Sequence, residues 1–364
     1  MRKIPGLSKG MGIGGWLTNY KRFNVLEKDK RMVLTVGDME HFESFVSETD
    51  IAYIATLGMD HIRLGFDQLV LEEKPFQYRG RIIELLHLFV DWCKKYKLRP
   101  VLNLHKALGN YCDALDEKGL MQTPDLQDRF VALWLKLEDE FSHDSDVIFE
   151  LLNEVVNATP EEWNSLAERT IHALREVNPK RLLIVGGTDW NMPQGMSHVK
   201  VYDDENVIYT YHCYEPFEFT HQQGVLQPST LLYNRILSYP ESDIEKYREF
   251  RRLVYDEMSP YEQFQSMDKN FLRSYMQPVF EFIAVHPDKV VWCGEFGTIR
   301  HINIKMRENW MRDMISLLKE YDIPYCVWNY LSMPNDGNRF SLVDDDNRKI
   351  LSEEMARIIR GEVE

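Results

Sequence analysis

Six apolar runs in this sequence end in polar or aromatic side chains that can do chemistry. HIRLG carries Arg63, LNLHK carries His105, and FELLNEV carries Asn153 and Glu154. YTYHCY carries His212 and Tyr214, WCGEFG carries Glu295, and VWNY carries Trp328. Two facing carboxyl groups are what cleavage of an acetal needs. One, protonated, assists the departing oxygen, and the other attacks the carbon. A separation of roughly 5 Å lets the second carboxylate form a covalent intermediate with retention; a gap of roughly 6.5–9.5 Å admits a water and inverts the centre. One glutamate at the end of an apolar run is explained equally well by a structural ion pair. Glu154 and Glu295 together, escorted by Arg, His, Asn, Tyr and Trp, are not. The histidines show neither an HExxH spacing nor a His/Asp cluster, so no metal and no other cofactor is expected.

These residues need elements that bring them to one place. Short β-rich runs are expected at Met11–Trp16, Asp60–Leu64, Arg99–Leu104, Val147–Leu152, Arg181–Val185, Val207–His212, Lys289–Cys293 and Tyr325–Trp328. Amphipathic helical patterns lie between them at Glu43–Leu57, Arg81–Tyr96, Leu126–Phe141, Glu161–Val177, Asn270–His286 and Met306–Tyr321, with a less regular one at Met192–Val199. Thr159-Pro160-Glu161-Glu162 sets a cap, a first-turn proline and two acids in helix-start order. The strands read as continuous apolar runs, as expected where both faces are covered. Alternation of this kind predicts an α/β fold, a (β/α)8 TIM barrel, as one catalytic domain over 1–364. Catalytic groups of such barrels sit at the C-terminal ends of the strands. Strands four and seven then place Glu154 and Glu295 across one mouth. Phe217–Met267 is too long for a strand-to-helix loop and is read as a helical insertion after strand six.

The formal net charge of -15 argues against nucleic acid or an anionic membrane as partner. No apolar run approaches the roughly 20 residues of a membrane span. Met1–Gly10 has no apolar core of a signal peptide, so a cytoplasmic location is expected, or secretion if a signal has been trimmed. A monomer is expected as well. The cysteines Cys93, Cys112, Cys213, Cys293 and Cys326 are odd in number and lack a CxxC, which fits reduced thiols. Strict alternation would point Cys293 and Cys326 into the barrel and Cys213 toward the helices.

With these residues in place the chain resembles glycoside hydrolase family 5, the cellulase and mannanase family. The eight residues Arg63, His105, Asn153, Glu154, His212, Tyr214, Glu295 and Trp328 match its site, and FELLNEVV, EPFEFTHQ and CGEFG are shared segments. The likeness extends from GGWL to VWNY and is nearest to endoglucanases without a signal peptide that carry an insertion after strand six. The resemblance implies a retaining, endo-acting hydrolase of β-1,4-glucan, with Glu154 as acid/base and Glu295 as nucleophile. Arg63 and Tyr214 would keep Glu295 ionised, Asn153 would hold the sugar 2-OH, and His105 and His212 would position hydroxyls or the acid. Trp328 would stack under the sugar; Trp16, Trp190, Tyr111 and Phe217 could extend the groove. Two positions depart from the common pattern: Lys106 where many members have a second histidine, and Gly12 where many have asparagine. Both bear on the sugar rather than the cut, and Lys106 could bind a hydroxyl or an acidic substituent. A mannanase, a mixed-linkage glucanase or an oligosaccharide-specific β-glucosidase would share the same machinery. A non-catalytic carbohydrate-binding barrel would be expected to have lost one glutamate, and a barrel aldolase would need a lysine within a strand.

Overall fold

Apolar strands covered on both faces pair in parallel and put their connecting helices outside. The computed structural model describes residues 2–18, 34–111, 119–224, 228–255, 260–333 and 336–363. Cys112 and two stretches of the 217–267 segment, 225–227 and 256–259, lie outside them. Eight strands close a parallel barrel in chain order: β1 Lys9–Leu17, β2 His61–Asp67, β3 Arg99–Lys106, β4 Ile148–Glu150, β5 Leu183–Gly186, β6 Val207–His212, β7 Val290–Glu295 and β8 Tyr325–Val327. Met11 closes the ring, pairing with Val327 on one side and Ile62 on the other. This is the (β/α)8 barrel that the sequence predicts.

The helices follow the expected patterns with two breaks. The pattern at 43–57 is two helices, α1 Val36–Ser44 and α2 Glu48–Thr56, because Ser47 and Asp50 form a capping box that starts a new helix. Then come α3 Gly80–Lys95, α4 Pro124–Glu140 and α5 Pro160–Val177. Thr159 caps α5 as expected, accepting from the Glu162 amide while the Glu162 carboxylate accepts from its own. The Met192–Val199 pattern is a 3-10 turn at Pro193–Ser197. Between β6 and β7 the chain runs through α6 Phe217–Thr220, α7 Pro228–Tyr233, α8 Glu245–Tyr255, α9 Lys269–Tyr275 and α10 Gln277–Val285. Pro278 opens the first turn of α10 and splits the pattern expected at 270–286. Helix α11 Ile304–Glu320 precedes β8, and α12 Glu353–Ile359 follows it. Among the described residues no helix is long and apolar enough to cross a membrane.

Two apolar cores result. The outer one joins the strands to the helices; the inner one fills the barrel with Val101, Ile148, Ile184, Ile208, Val290, Trp292 and Cys326. Cys326 points inward and Cys213 outward, but Cys293 corrects the expectation: it lies in the outer core with Tyr211 and Cys213. The reason is a register shift. Tyr211 sits opposite Cys293, yet His212 sits opposite Glu295, so Gly294 is an extra residue on β7 and alternation fails there.

Beneath the mouth the packing tolerates no side chain on Gly10. A Cβ there would lie 2.0 Å from Nε2 of the buried His61, whose Nδ1 is tied to Asp60 at 2.7 Å. Gly10→Ala should cost about 1–3 kcal/mol through overpacking. Chemical denaturation checks this, and unchanged stability would refute the packing argument.

Candidate active site

The site is built on Arg63, which points from β2 into the barrel and is 0% exposed. Its Nε donates to Glu150 Oε2 at 2.6 Å and its Nη2 to Glu150 Oε1 at 2.9 Å. Nη2 also donates to Asn153 Oδ1 at 2.7 Å, and Nη1 donates to Glu295 Oε1. Burial alone would disfavour the guanidinium charge, but Glu150 and Glu295 more than offset this and raise its pKa. Glu150 escaped the sequence reading because it lies within the apolar run FELL, four residues before the Glu154 that closes it.

Glu295 is aimed by the bulge at Gly294. Its Oε1 takes Arg63, and its Oε2 accepts from the Tyr214 hydroxyl at 2.7 Å. Burial pushes its pKa above the ordinary carboxylate value. His212 and Arg63 oppose that push, nearby Glu154 adds to it, and the Tyr214 hydrogen bond lowers it again.

Glu154 follows β4 with φ at 43°, a left-handed conformation that a residue with a Cβ rarely adopts. Such backbone persists only where its surroundings enforce it, commonly at functional sites. The turn leaves the Glu154 side chain 18% exposed, against 4% for Glu295. His212 Nδ1 lies 3.0 Å from Glu154 Oε1 and 3.8 Å from Glu295 Oε2. Burial depresses the His212 pKa to about 4, with Glu295 opposing and Arg63 assisting. Its Nε2 is buried without a partner. A neutral imidazole in this setting carries its hydrogen on Nδ1, since a buried N–H without an acceptor is the costlier arrangement. Ligand atoms of Glu154, His212 and Glu295 all lie within 4.8 Å of one another. One oxygen of each carboxylate thus comes within 4.8 Å of the other, the close approach that the covalent, retaining route uses. These three are also the one His/Cys/Asp/Glu group among the described residues near enough to share a metal ion. Both Glu295 oxygens are already engaged by Arg63 and Tyr214.

The remaining residues divide. Asn153 spends its oxygen on Arg63, leaving Nδ2 buried without a partner as a donor for a bound hydroxyl. Asn103 Oδ1 takes His105 Nδ1 at 3.0 Å, which sets the ring hydrogen on Nδ1. His105 stacks on Trp328 with centroids 5.4 Å apart and planes 6° from parallel. Trp328 also has the Arg63 guanidinium 5.8 Å from its ring centroid. A Cβ on Gly12 or Gly14 would come to 2.7 or 2.6 Å of the Trp328 ring, so the bare strand β1 is what lets the indole lie there. Trp16 does not join the site and is a correction. It is fully buried, its Nε1 donates to the Phe42 carbonyl at 2.6 Å, and its ring stacks on Trp92. Lys106 is 1% exposed and is already engaged within the protein, so it offers no free ammonium to a groove. Phe217 stacks on His221 at 4.0 Å, and His221 meets the Tyr214 ring edge-on, so Phe217 supports the wall behind Tyr214. Tyr111 and Trp190 are half-buried. Arg251 of α8 pairs with the buried Glu218 of α6 and lies 3.8 Å from Glu215, fastening the segment after β6 to that wall.

A family model, Cellulase (glycosyl hydrolase family 5), matches residues 26–333. The chain is similar to Endoglucanase C of Acetivibrio thermocellus, 34% identical over 355 residues that cover 96% of this chain and 97% of that one. It is also similar to Cellodextrinase A of Ruminococcus flavefaciens, 27% identical over 335 residues, covering 89% and 85%. In fold it is similar to an endoglucanase of Thermotoga maritima, with a TM-score of 0.72 at 20% identity and 97% of each chain covered.

With its pKa depressed to about 4, His212 should stay neutral from pH 8 down to about 5.5. Its imidazole nitrogen NMR shifts should hold the Nδ1–H tautomer across that range. A titration near the ordinary histidine value of about 6.5 would refute the assignment.

Proposed function

The chain belongs to glycosyl hydrolase family 5, the cellulase family, and we propose that Glu295 is its nucleophile and Glu154 its general acid/base. The protein is an endo-β-1,4-glucanase. The single observation that carries the role assignment is the close but unequal pair of carboxylates. Glu295 is sunk and held by Arg63 and Tyr214, whereas Glu154 is the more open and faces His212.

The geometry supports a double displacement. Glu295 attacks the anomeric carbon; the glycosidic C–O bond breaks, and its electron pair and the Glu154 proton go to the leaving oxygen. Water then attacks the glycosyl ester, Glu154 takes its proton, and Glu295 leaves as carboxylate. His212 holds the Glu154 proton site by its 3.0 Å contact. The free Nδ2 of Asn153 is placed to bind a sugar hydroxyl, a contact that counts most where it tightens in the transition state. Trp328, packed between His105 and β1, is a rigid platform for the apolar face of a glucosyl ring.

Glu295→Ala should abolish hydrolysis of carboxymethylcellulose while cello-oligosaccharide binding survives. Glu154→Ala should slow substrates with poor leaving groups far more than activated aryl cellobiosides. Early-time NMR should show the β-anomer as first product; an α-anomer would overturn the scheme. A screen over carboxymethylcellulose, mixed-linkage glucan, mannan, xyloglucan and cello-oligosaccharides ranks the substrates.

The nucleophile must be ionised, so kcat/KM falls as pH drops through the Glu295 pKa, which burial has raised. Tyr214→Phe removes a hydrogen bond that lowers that pKa. The acid limb should therefore move to higher pH, and a limb that stays put or moves down would contradict the role given to Tyr214.

A further inference from the structure

We propose that Glu150 is a positioning residue for the displacement. It grips Arg63 with both carboxylate oxygens, so that the guanidinium stays paired when Glu295 is consumed as a glycosyl ester. The proposal rests on the reading of Glu295 as nucleophile.

Glu150 ends β4 inside the barrel, 0% exposed, in register with Asn103 on one side and Ile184 on the other. It lies out of reach of a substrate in the mouth. What it touches is Arg63, through Nε at 2.6 Å and Nη2 at 2.9 Å, on the edge of the guanidinium away from the Nη1 that Glu295 takes. One buried cation thus serves two buried carboxylates, and only one of them changes during turnover. Before attack, Arg63, Glu150 and Glu295 sum to one negative charge. In the glycosyl-enzyme the Glu295 carboxylate is a neutral ester, and Arg63 with Glu150 sum to zero. Without the Glu150 charge the same two states would sum to zero and to one unpaired buried cation. Leaving a buried charge without its partner is the strongly unfavourable case for ion pairs. The first displacement would then start from an over-stabilised carboxylate and end on an uncompensated guanidinium. Glu150 removes both penalties at once. A plain structural brace between β2 and β4 would use the same hydrogen bonds, but it would not need the charge to carry the reaction, and its loss would leave the rate of ester formation unchanged.

The test is Glu150→Gln, made in the full chain and read on an activated aryl cellobioside. Removing one negative charge beside Arg63 strengthens the cation's hold on Glu295, so the acid limb of kcat/KM should move down by about one pH unit. kcat/KM at its optimum should fall by about 10²-fold, in the range seen when one preorganised charge contact is lost. Any pre-steady-state burst should shrink, because forming the ester becomes slow. Glu150→Asp keeps the charge and should return the limb to its wild-type position even if its rate stays low. A folded Glu150→Gln protein with the wild-type limb overturns the proposal. Wild-type enzyme trapped with an activated 2-deoxy-2-fluoro-cellobioside gives a second test that needs no variant. In its crystal structure Arg63 should keep both bonds to Glu150; an Arg63 that has let go of Glu150 overturns the proposal. Peptide mass mapping of the same adduct separates the two readings. A label on a carboxylate other than Glu295 overturns the nucleophile and the Glu150 role together. A label on Glu295 with an unmoved limb overturns the Glu150 role alone.

Discussion

A guanidinium buried without water must be surrounded by acceptors, and in this barrel that requirement organises the whole mouth. Arg63 draws Glu150 and Asn153 from the β4 side and Glu295 from β7, and so ties opposite walls of the ring to one cation. The pull is electrostatic in a low-dielectric interior, where a charge left unpaired costs far more than it does at a surface. The inner core of Ile148, Ile184, Ile208, Val290 and Trp292 lies below this layer and floors it with apolar side chains. Fold and site are thus linked through one contact set. The strands hold Arg63 at a depth where its charge must be shared, and the sharing fixes where the carboxylates can stand.

Holding them there takes departures from regular backbone. Gly294 adds a residue to β7 and turns Glu295 inward, while Glu154 leaves β4 with positive φ. Regular strands ending at these places would put consecutive side chains on opposite faces, and the two carboxyls would not meet within 4.8 Å. The Asp189–Asn191 stretch after β5 repeats the device, with three successive positive φ values near 55°. Its Trp190 amide donates to the Val155 carbonyl just past Glu154, and the Asn191 carbonyl accepts from the His212 amide. The strained loop therefore spans the backbone of the acid and of the histidine that faces it. Strain of this kind is sustained by the surrounding barrel and is concentrated where the geometry has to be unusual.

Much of this was legible from residue types alone, and the misses share a physical cause. A polar residue closing an apolar strand has few places to go in a barrel except the mouth, which is why Arg63, His105, Asn153, Glu154, His212, Tyr214, Glu295 and Trp328 could be picked out. Trp16 failed because indole suits a core as well as a groove, and only the path of α1, which offers the Phe42 carbonyl, decides between them. Lys106 failed because a place at the end of a strand does not say which side its side chain takes, and the register shift between Phe66 and Asp67 falls there. Cys293 failed at the corresponding irregularity on β7. Glu150 was hidden in FELLN, where a buried acid reads as one more strand residue until its partner is known. The helix breaks at Ser47 and Pro278 rest on capping and proline chemistry that the continuous amphipathic periodicity runs straight across.

The glycines of β1 carry the argument into substrate recognition. Trp328 lies so near Gly12 and Gly14 that any side chain at either position would enter its ring. On its other side Trp328 stacks on His105, whose own ring lies 3.1 Å from where a Cβ on Gly65 would be. The platform is therefore set by absences on two neighbouring strands. An asparagine at position 12 would bring a hydrogen-bonding group to the groove only by moving the indole. This chain takes the opposite option, trading a polar contact for an apolar surface pressed against the strand. Stacking on the C–H face of a sugar is tolerant of hydroxyl configuration, whereas a buried amide is not. Selection among β-linked sugars must then come from the polar atom that remains at the cleavage point, Asn153 Nδ2, together with the wall that Arg251 fastens behind Tyr214.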